Sequence, residues 1–229
     1  ELHMNVLATL GTHGGSILVM PMSEQSEVGV EISTCTLSGN KADGNGGAIA
    51  FMSPQGQTST AKVTISSLTI TNNTADSDSN AQGLGGGIFA QSAKTEIQNT
   101  IVAKNQQLAS TPNFYSPDVL GNYGSNGYNL IGDAGLNSTG FTGTADQVGT
   151  TASPINPRLD ALADNRGMGM THLPRNNSSA VDKGKCPSSS ADERGVRRPV
   201  ELPAANAPGG NGCDIGAIEL TEEEYKRRN

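Results

Sequence analysis

The sequence predicts an all-β solenoid, a parallel β-helix, and three observations predict it. The first is a repeat. Residues 30–40, 63–73 and 95–105 align without gaps at offsets of 33 and then 32 residues. Ile32, Ile65 and Ile97 form one column; Cys35, Leu68 and Thr100 a second; Leu37, Ile70 and Val102 a third; Asn40, Asn73 and Asn105 the last. Self-similarity at a period of 20–50 residues marks a solenoid or array. The second observation is alternation inside each unit. Apolar residues at Val63 and Ile65, then Leu68 and Ile70, alternate with Thr and Ser. This is strand periodicity, with one residue inserted where two short strands meet at a bend. The third is composition. Gly contributes 29 of 229 residues, aromatics are 3%, and Trp is absent. Such a chain lacks the large side chains of a thick globular core, whereas a solenoid interior is a narrow stack of Ile, Val, Leu and Ala.

Strands of successive coils should stack about 4.8 Å apart. The Asn column is expected at a corner, where Asn side chains bond the backbone and the residue itself tolerates a left-handed conformation. A second recurring element, Gly14-Gly15-Ser16-Ile17, Gly46-Gly47-Ala48-Ile49 and Gly85-Gly86-Gly87-Ile88, marks another corner. There φ > 0 or close approach of neighbouring coils excludes a Cβ.

Taken in order, residues 1–4 read as a cloning remnant, and residues 5–150 as the coils. Residues 5–29 hold an irregular first coil, whose entry inside a unit implies that the natural chain continues upstream. Residues 53–60, 76–82 and 106–117 are polar loops that leave the stack. One further coil is expected between 106 and 150. Residues 151–220 form a C-terminal coil and capping region. Within it, Arg158 to Ala163 has some helical character, 176–212 is loop, and Cys213-Asp214-Ile215-Gly216-Ala217-Ile218-Glu219-Leu220 alternates as a closing strand. Residues 221–229 are a charged tail. Its Thr221 N-cap and acid-before-base order also suit a short helix, but the tail is the preferred reading.

The net charge of −7 disfavours nucleic acid as a partner. No window of about 20 apolar residues spans a membrane. Cys35 stands in the column of Leu68 and reads as a small buried hydrophobe. Cys186 and Cys213 lie 27 apart in a Pro, Gly and Ser-rich segment. They are candidates for a disulfide, which would imply an oxidising compartment.

Six motifs then occur in order: Gly127-Tyr128-Asn129-Leu130-Ile131-Gly132, Asp146-Gln147-Val148-Gly149, Ile155-Asn156-Pro157, Leu162-Ala163-Asp164-Asn165, Asp192-Glu193-Arg194-Gly195 and Cys213-Asp214-Ile215-Gly216-Ala217-Ile218-Glu219. Together they resemble the C-terminal end of bacterial secreted β-helix proteins of the choice-of-anchor Q domain type. The coils are similar to the repeats of polymorphic outer-membrane proteins, with Gly46-Gly47-Ala48-Ile49 matching their Gly-Gly-Ala-Ile motif. Leu37, Ile70 and Val102 stand where those repeats carry Phe. Arg166-Gly167-Met168 and Asn176-Asn177-Ser178-Ser179 depart from the family's Gly-Gly-Pro and Pro-Gly-Ser-Pro turns. The resemblance implies a right-handed helix at the cell surface or in the medium, and no catalytic residues. It also implies that Asp192, Glu193, Arg194 and Asp214 pair to hold a cap.

The expected function is a non-enzymatic extracellular stalk or adhesin-like scaffold. Its loops would contact a host or cell-surface protein or a glycan. The alternative is a carbohydrate-active β-helix, lyase- or hydrolase-like, or a glycan binder. The sites that bear on the alternative are few. Glu31 and Glu96 flank Thr64 at about 9.6 Å, two strand spacings, near the separation of an inverting pair. No His or Lys is expected beside them in the repeat. Asp76, Asp78, Asn72, Asn73 and Asn80 are a candidate calcium loop, otherwise an ordinary polar one. His13 and His172 show no zinc spacing, and no Ser-His-Asp set can be read from the sequence.

Overall fold

The computed structural model describes residues 13–20, 29–52, 62–108 and 117–227. The loop expected at 53–60, most of that at 106–117, the proposed remnant at 1–4 and most of the irregular first coil lie outside the described residues.

The strands are β1 (Ile17–Val19), β2 (Gly29–Ser38), β3 (Ile49–Phe51), β4 (Lys62–Thr71), β5 (Thr74–Ala75), β6 (Ile88–Gln98), β7 (Ile101–Ala103), β8 (Gln106–Gln107), β9 (Val119–Ser125), β10 (Leu130–Ile131), β11 (Ser138–Thr139), β12 (Gln147–Val148), β13 (Ala163–Asp164) and β14 (Met170–Thr171); the one helix among the described residues, α1, is Glu222–Lys226. The described chain is therefore nearly all β. Ten of these strands form one large parallel sheet.

Its register is the repeat. Ile32 pairs with Ile65 and Ile65 with Ile97; Leu37 pairs with Ile70 and Ile70 with Val102. The Gly-Gly segments lead into a parallel row of their own, β1 on β3 on β6 on β9. Between 106 and 150 the sheet adds two levels rather than one. β9 and β10 form the first, and β11 and β12 pair onto them as the second. The second level was masked in the sequence because its strands are two residues long.

The bends recur in register. Thr34, Ser67 and Asn99 have φ of 51°, 55° and 50°, at the position of the inserted residue. At the next corner the left-handed residues are Gly39, Asn72 and Lys104, with φ of 73°, 58° and 61°. Each immediately precedes an Asn of the stacked column, so the expectation that the Asn itself adopts this conformation is corrected. The stacked Asn needs a backbone that turns its side chain inward along the stack, and its predecessor supplies the turn. At the Gly-Gly corner the two glycines divide the work. Gly46 has φ of 71°, and a Cβ on Gly47 would overlap the carbonyl of Gly86 in the next repeat.

Inward apolar side chains, including Ile49, Ile65, Leu68, Ile70, Ile88, Ile97 and Val102, are fully buried in one continuous core. Burying each such side chain contributes roughly 1.5–3 kcal/mol. Cys35, unlike its neighbours in that column, is only half-buried at the edge of this core.

Two polar ladders run beside the apolar core. In the first, Asn40 donates its backbone N–H (2.9 Å) and Nδ2 (2.8 Å) to Asn73 Oδ1, and Asn73 donates the same two groups to Asn105 Oδ1 (3.0 and 2.8 Å). Asn105 then donates both to Asp118 Oδ1, each at 2.8 Å. In the second, Leu68 N–H donates to Thr100 Oγ1, Thr100 N–H to Asn129 Oδ1, and Asn129 N–H to Asp146 Oδ1. Both ladders end on an aspartate side chain, whose oxygens accept the last donors of the stack.

Residues past 150 differ from expectation in three places. Arg158 sits at φ 51°, which excludes a helix there. The segment instead bridges antiparallel, Leu159 to Pro174. Residues 213–220 form no strand. Apart from a single bridge of Cys213 to Gly184, they lie against the flank of the parallel sheet: Ala217 N–H donates to Thr69 Oγ1 at 3.0 Å and Gly216 N–H to the Asn99 carbonyl at 2.9 Å. The tail is helical through Lys226, because Thr221 and Glu224 complete a capping box and Glu224 Oε1 meets Arg194 at 2.6 Å. Among the described residues no helix is long and apolar enough to cross a membrane.

Candidate functional site

The outward face of β2, β4, β7 and β10 is covered. Its side chains alternate with the inward column: Thr36 and Ser38 on β2, Thr69 and Thr71 on β4, Ile101 and Ala103 on β7, Leu130 on β10. Ile101, Ala103 and Leu130 pack with Ala180 and Ile215 into a second apolar cluster. Cys186 and Cys213 are disulfide-bonded, with Cα atoms 6.0 Å apart, and tie this covering layer to itself.

A buried charged network holds the layer. Glu219 accepts from the N–H of Val200 (2.6 Å) and Asp214 (3.0 Å), and Asp214 accepts from the N–H of Asp182 (2.8 Å) and Leu220 (2.7 Å). Arg194 meets Asp192 at 3.1 Å and Glu224 at 2.6 Å. Arg198 donates to the Gly216 carbonyl and lies 3.5 Å from Glu219. Burial pushes the Asp214 and Glu219 carboxyls up and the Arg198 guanidinium down from their ordinary ranges. Glu193 turns the other way, accepting from Thr36 Oγ at 2.5 Å. Asn129, Asp146, Asp192, Arg194, Asp214 and Glu219, all from the ordered motifs, thus hold backbone together.

Where the cover reaches β2 it stands off and leaves a groove of about 470 Å³. Thr36 and Ser38 line it from the sheet; Leu162, Met168 and Met170 line it from the β13–β14 hairpin. At its floor Ser38 Oγ lies 2.8 Å from His172 Nε2, and His172 Nδ1 lies 2.7 Å from the Asp160 carbonyl. That carbonyl can only accept, so Nδ1 carries the proton. In the neutral ring Nε2 is then an acceptor, and Ser38 donates to it. Burial holds His172 below the usual imidazole range; the Asp160 carbonyl opposes the shift and the Lys104 charge adds to it. The pair comes from residues 134 apart in sequence, which is why sequence reading missed it.

The other candidates are not brought together. Glu31 and Glu96 flank Thr64 in register, but Glu96 is paired to Lys62 at 3.2 Å. The expectation of no Lys beside these acids is corrected. Lys62 lies two residues before Thr64 on the same face, a diagonal neighbour of Glu96 within reach of a long side chain. In the 76–82 loop Asp76 accepts from the N–H groups of Ala81 and Gln82, and Asp78 from Asn80. Asn73 belongs to the inward ladder, so the five residues do not converge. Among the described residues no group of three or more His, Cys, Asp or Glu is placed to hold a metal.

Comparison with known proteins finds no matching family, no matching curated protein and no matching solved structure. What the site defines is a class: a parallel-sheet protein whose C-terminal third is clamped over one flank.

Proposed function

We propose that this chain is a right-handed parallel β-helix that acts outside the cell or on its surface as a rigid scaffold, presenting polar loops to a protein or glycan. The observation that carries this reading is the in-register parallel stack with its two buried ladders. A scaffold of this kind fixes its loops in space with little entropy left to lose on binding. The ordered motifs resembling choice-of-anchor Q domains support the extracellular placement, and so does the Cys186–Cys213 bond, which an oxidising compartment preserves.

The test is a glycan and cell-surface-protein binding screen on the intact chain and on a variant in which 77–81 are replaced by glycine and serine. Binding lost in the variant at an unchanged melting temperature supports the reading. Absence of binding by the intact chain across the screen counts against it. The carbohydrate-active alternative predicts new reducing ends or unsaturated products from acidic or neutral polysaccharides, abolished by Glu31→Gln or Glu96→Gln.

A further inference from the structure

We propose that Ser38 and His172 are a nucleophile and its base, and that the groove above them takes short acyl esters of polar alcohols. This goes beyond the scaffold reading and does not depend on it. Four observations converge. The hydrogen bond from Ser38 to His172 has the length of a nucleophile–base contact. The imidazole is fixed in the required tautomer by a third group, the Asp160 carbonyl. Ser38 opens onto the groove, whereas His172 is 3% exposed and stands behind it. Its column neighbours in the sheet, Thr71 and Ala103, are sealed at 1% and 0% exposure, so only this hydroxyl of the column is reachable.

The walls select the substrate. The volume is within the range of small-molecule sites. Met168, Met170 and Leu162 form an apolar side suited to an acyl chain. Thr36 and Asp164 form a polar side suited to an alcohol carrying further hydroxyls. Gly167, Met168 and Gly169 complete the same wall.

In the reaction Ser38 Oγ attacks the ester carbonyl carbon as its proton passes to His172 Nε2. The tetrahedral adduct collapses, the bond to the alcohol oxygen breaks, and His172 returns the proton to that oxygen. Water then attacks the acyl-serine carbonyl, giving a proton to His172. The carboxylic acid leaves as Ser38 recovers its hydrogen.

The test uses the intact chain with a fluorophosphonate probe, read by peptide mass mapping, and with p-nitrophenyl acetate and butyrate. The expected result is one adduct, on Ser38, and ester turnover that falls to background in Ser38→Ala. His172→Gln should slow both by about 10²–10⁴-fold, the range a positioned base supplies. A hydroxyl that merely ties the cover to the sheet would not react. The absence of a Ser38 adduct in the native chain overturns the proposal without recourse to any variant. Turnover retained in Ser38→Ala, or labelling unchanged in folded His172→Gln, overturns it as well.

Discussion

Replacing Asn73 with Ala should be among the most damaging small changes in this chain, and the ladder geometry sets its size. Asn73 is fully buried. Its Oδ1 accepts both the backbone N–H and the Nδ2 of Asn40, and its Nδ2 donates to the Leu37 and Thr71 carbonyls at 2.9 and 3.0 Å. Truncation leaves the two Asn40 donors without this acceptor in a site that is 8% exposed. At roughly 1–3 kcal/mol for each buried group left unmade, the loss is about 3–5 kcal/mol. Asn40→Ala is the control. It removes one bond, from Asn40 Nδ2, while Asn73 Oδ1 still accepts the backbone N–H of residue 40. The cost there should be the ordinary net worth of one hydrogen bond, about 0.5–1.5 kcal/mol. Urea unfolding followed by circular dichroism measures both, compared at equal m-values. Equal losses in the two variants would refute the idea that Asn73 is the acceptor on which the neighbouring repeat depends.

Three further outcomes are expected. Ile65→Asp, which places an unpaired carboxylate in the fully buried column, should cost about 4 kcal/mol or more, whereas Thr64→Asp, half-buried between Glu31 and Glu96, should cost no more than about 1 kcal/mol from like-charge contact; equal melting temperatures would show the register to be wrong. Reducing the Cys186–Cys213 bond should lower stability by roughly 3–4 kcal/mol in the chain-entropy model, read as a shift in the urea midpoint on adding reductant. Asp118, pushed up to about 7 by burial against the opposing hydrogen bonds of Asn105 and Asp133, sits above the ordinary unfolded range near 4. Its contribution is therefore fully present below about pH 4 and lost as pH rises through 7. The stability of the wild type relative to Asp118→Asn should fall between pH 4 and pH 8, and a constant difference would contradict the assignment.

The family resemblance rests on motif order, and the structure gives those motifs a physical role. Asn129 and Asp146 continue the column of Cys35, Leu68 and Thr100. Gly149 approaches Gly132 so closely that a Cβ on it would overlap the neighbouring carbonyl. Asp192, Asp214 and Glu219 accept backbone N–H groups that no strand partner satisfies. The second ladder was not read from the sequence, where Thr100 simply shares a column with Cys35 and Leu68. Its continuation at Asn129 was hidden, because the repeat shortens from 32 residues to 29 between them.

The parallel register, the bends and the Asn column follow from alternation and repeat spacing alone. These are local or nearest-neighbour properties. A strand's alternation faces one way only, and a residue in one repeat meets its equivalent in the next, so both can be read along the chain. The cover over the flank, and everything made by it, depends on contacts between distant segments. Its one trace in the sequence is that Ile101-Val102-Ala103 and Leu130-Ile131 are apolar at both parities, the mark of a strand buried on both faces. The identity of the covering segment carried no such trace. Residues 172–220 have little periodicity, and they are fixed by irregular backbone hydrogen-bonded to carboxylates and by a disulfide. Ser38 and His172 meet only because that segment folds back across the first repeats. Such a contact depends on the path of a loop, which alternation does not encode.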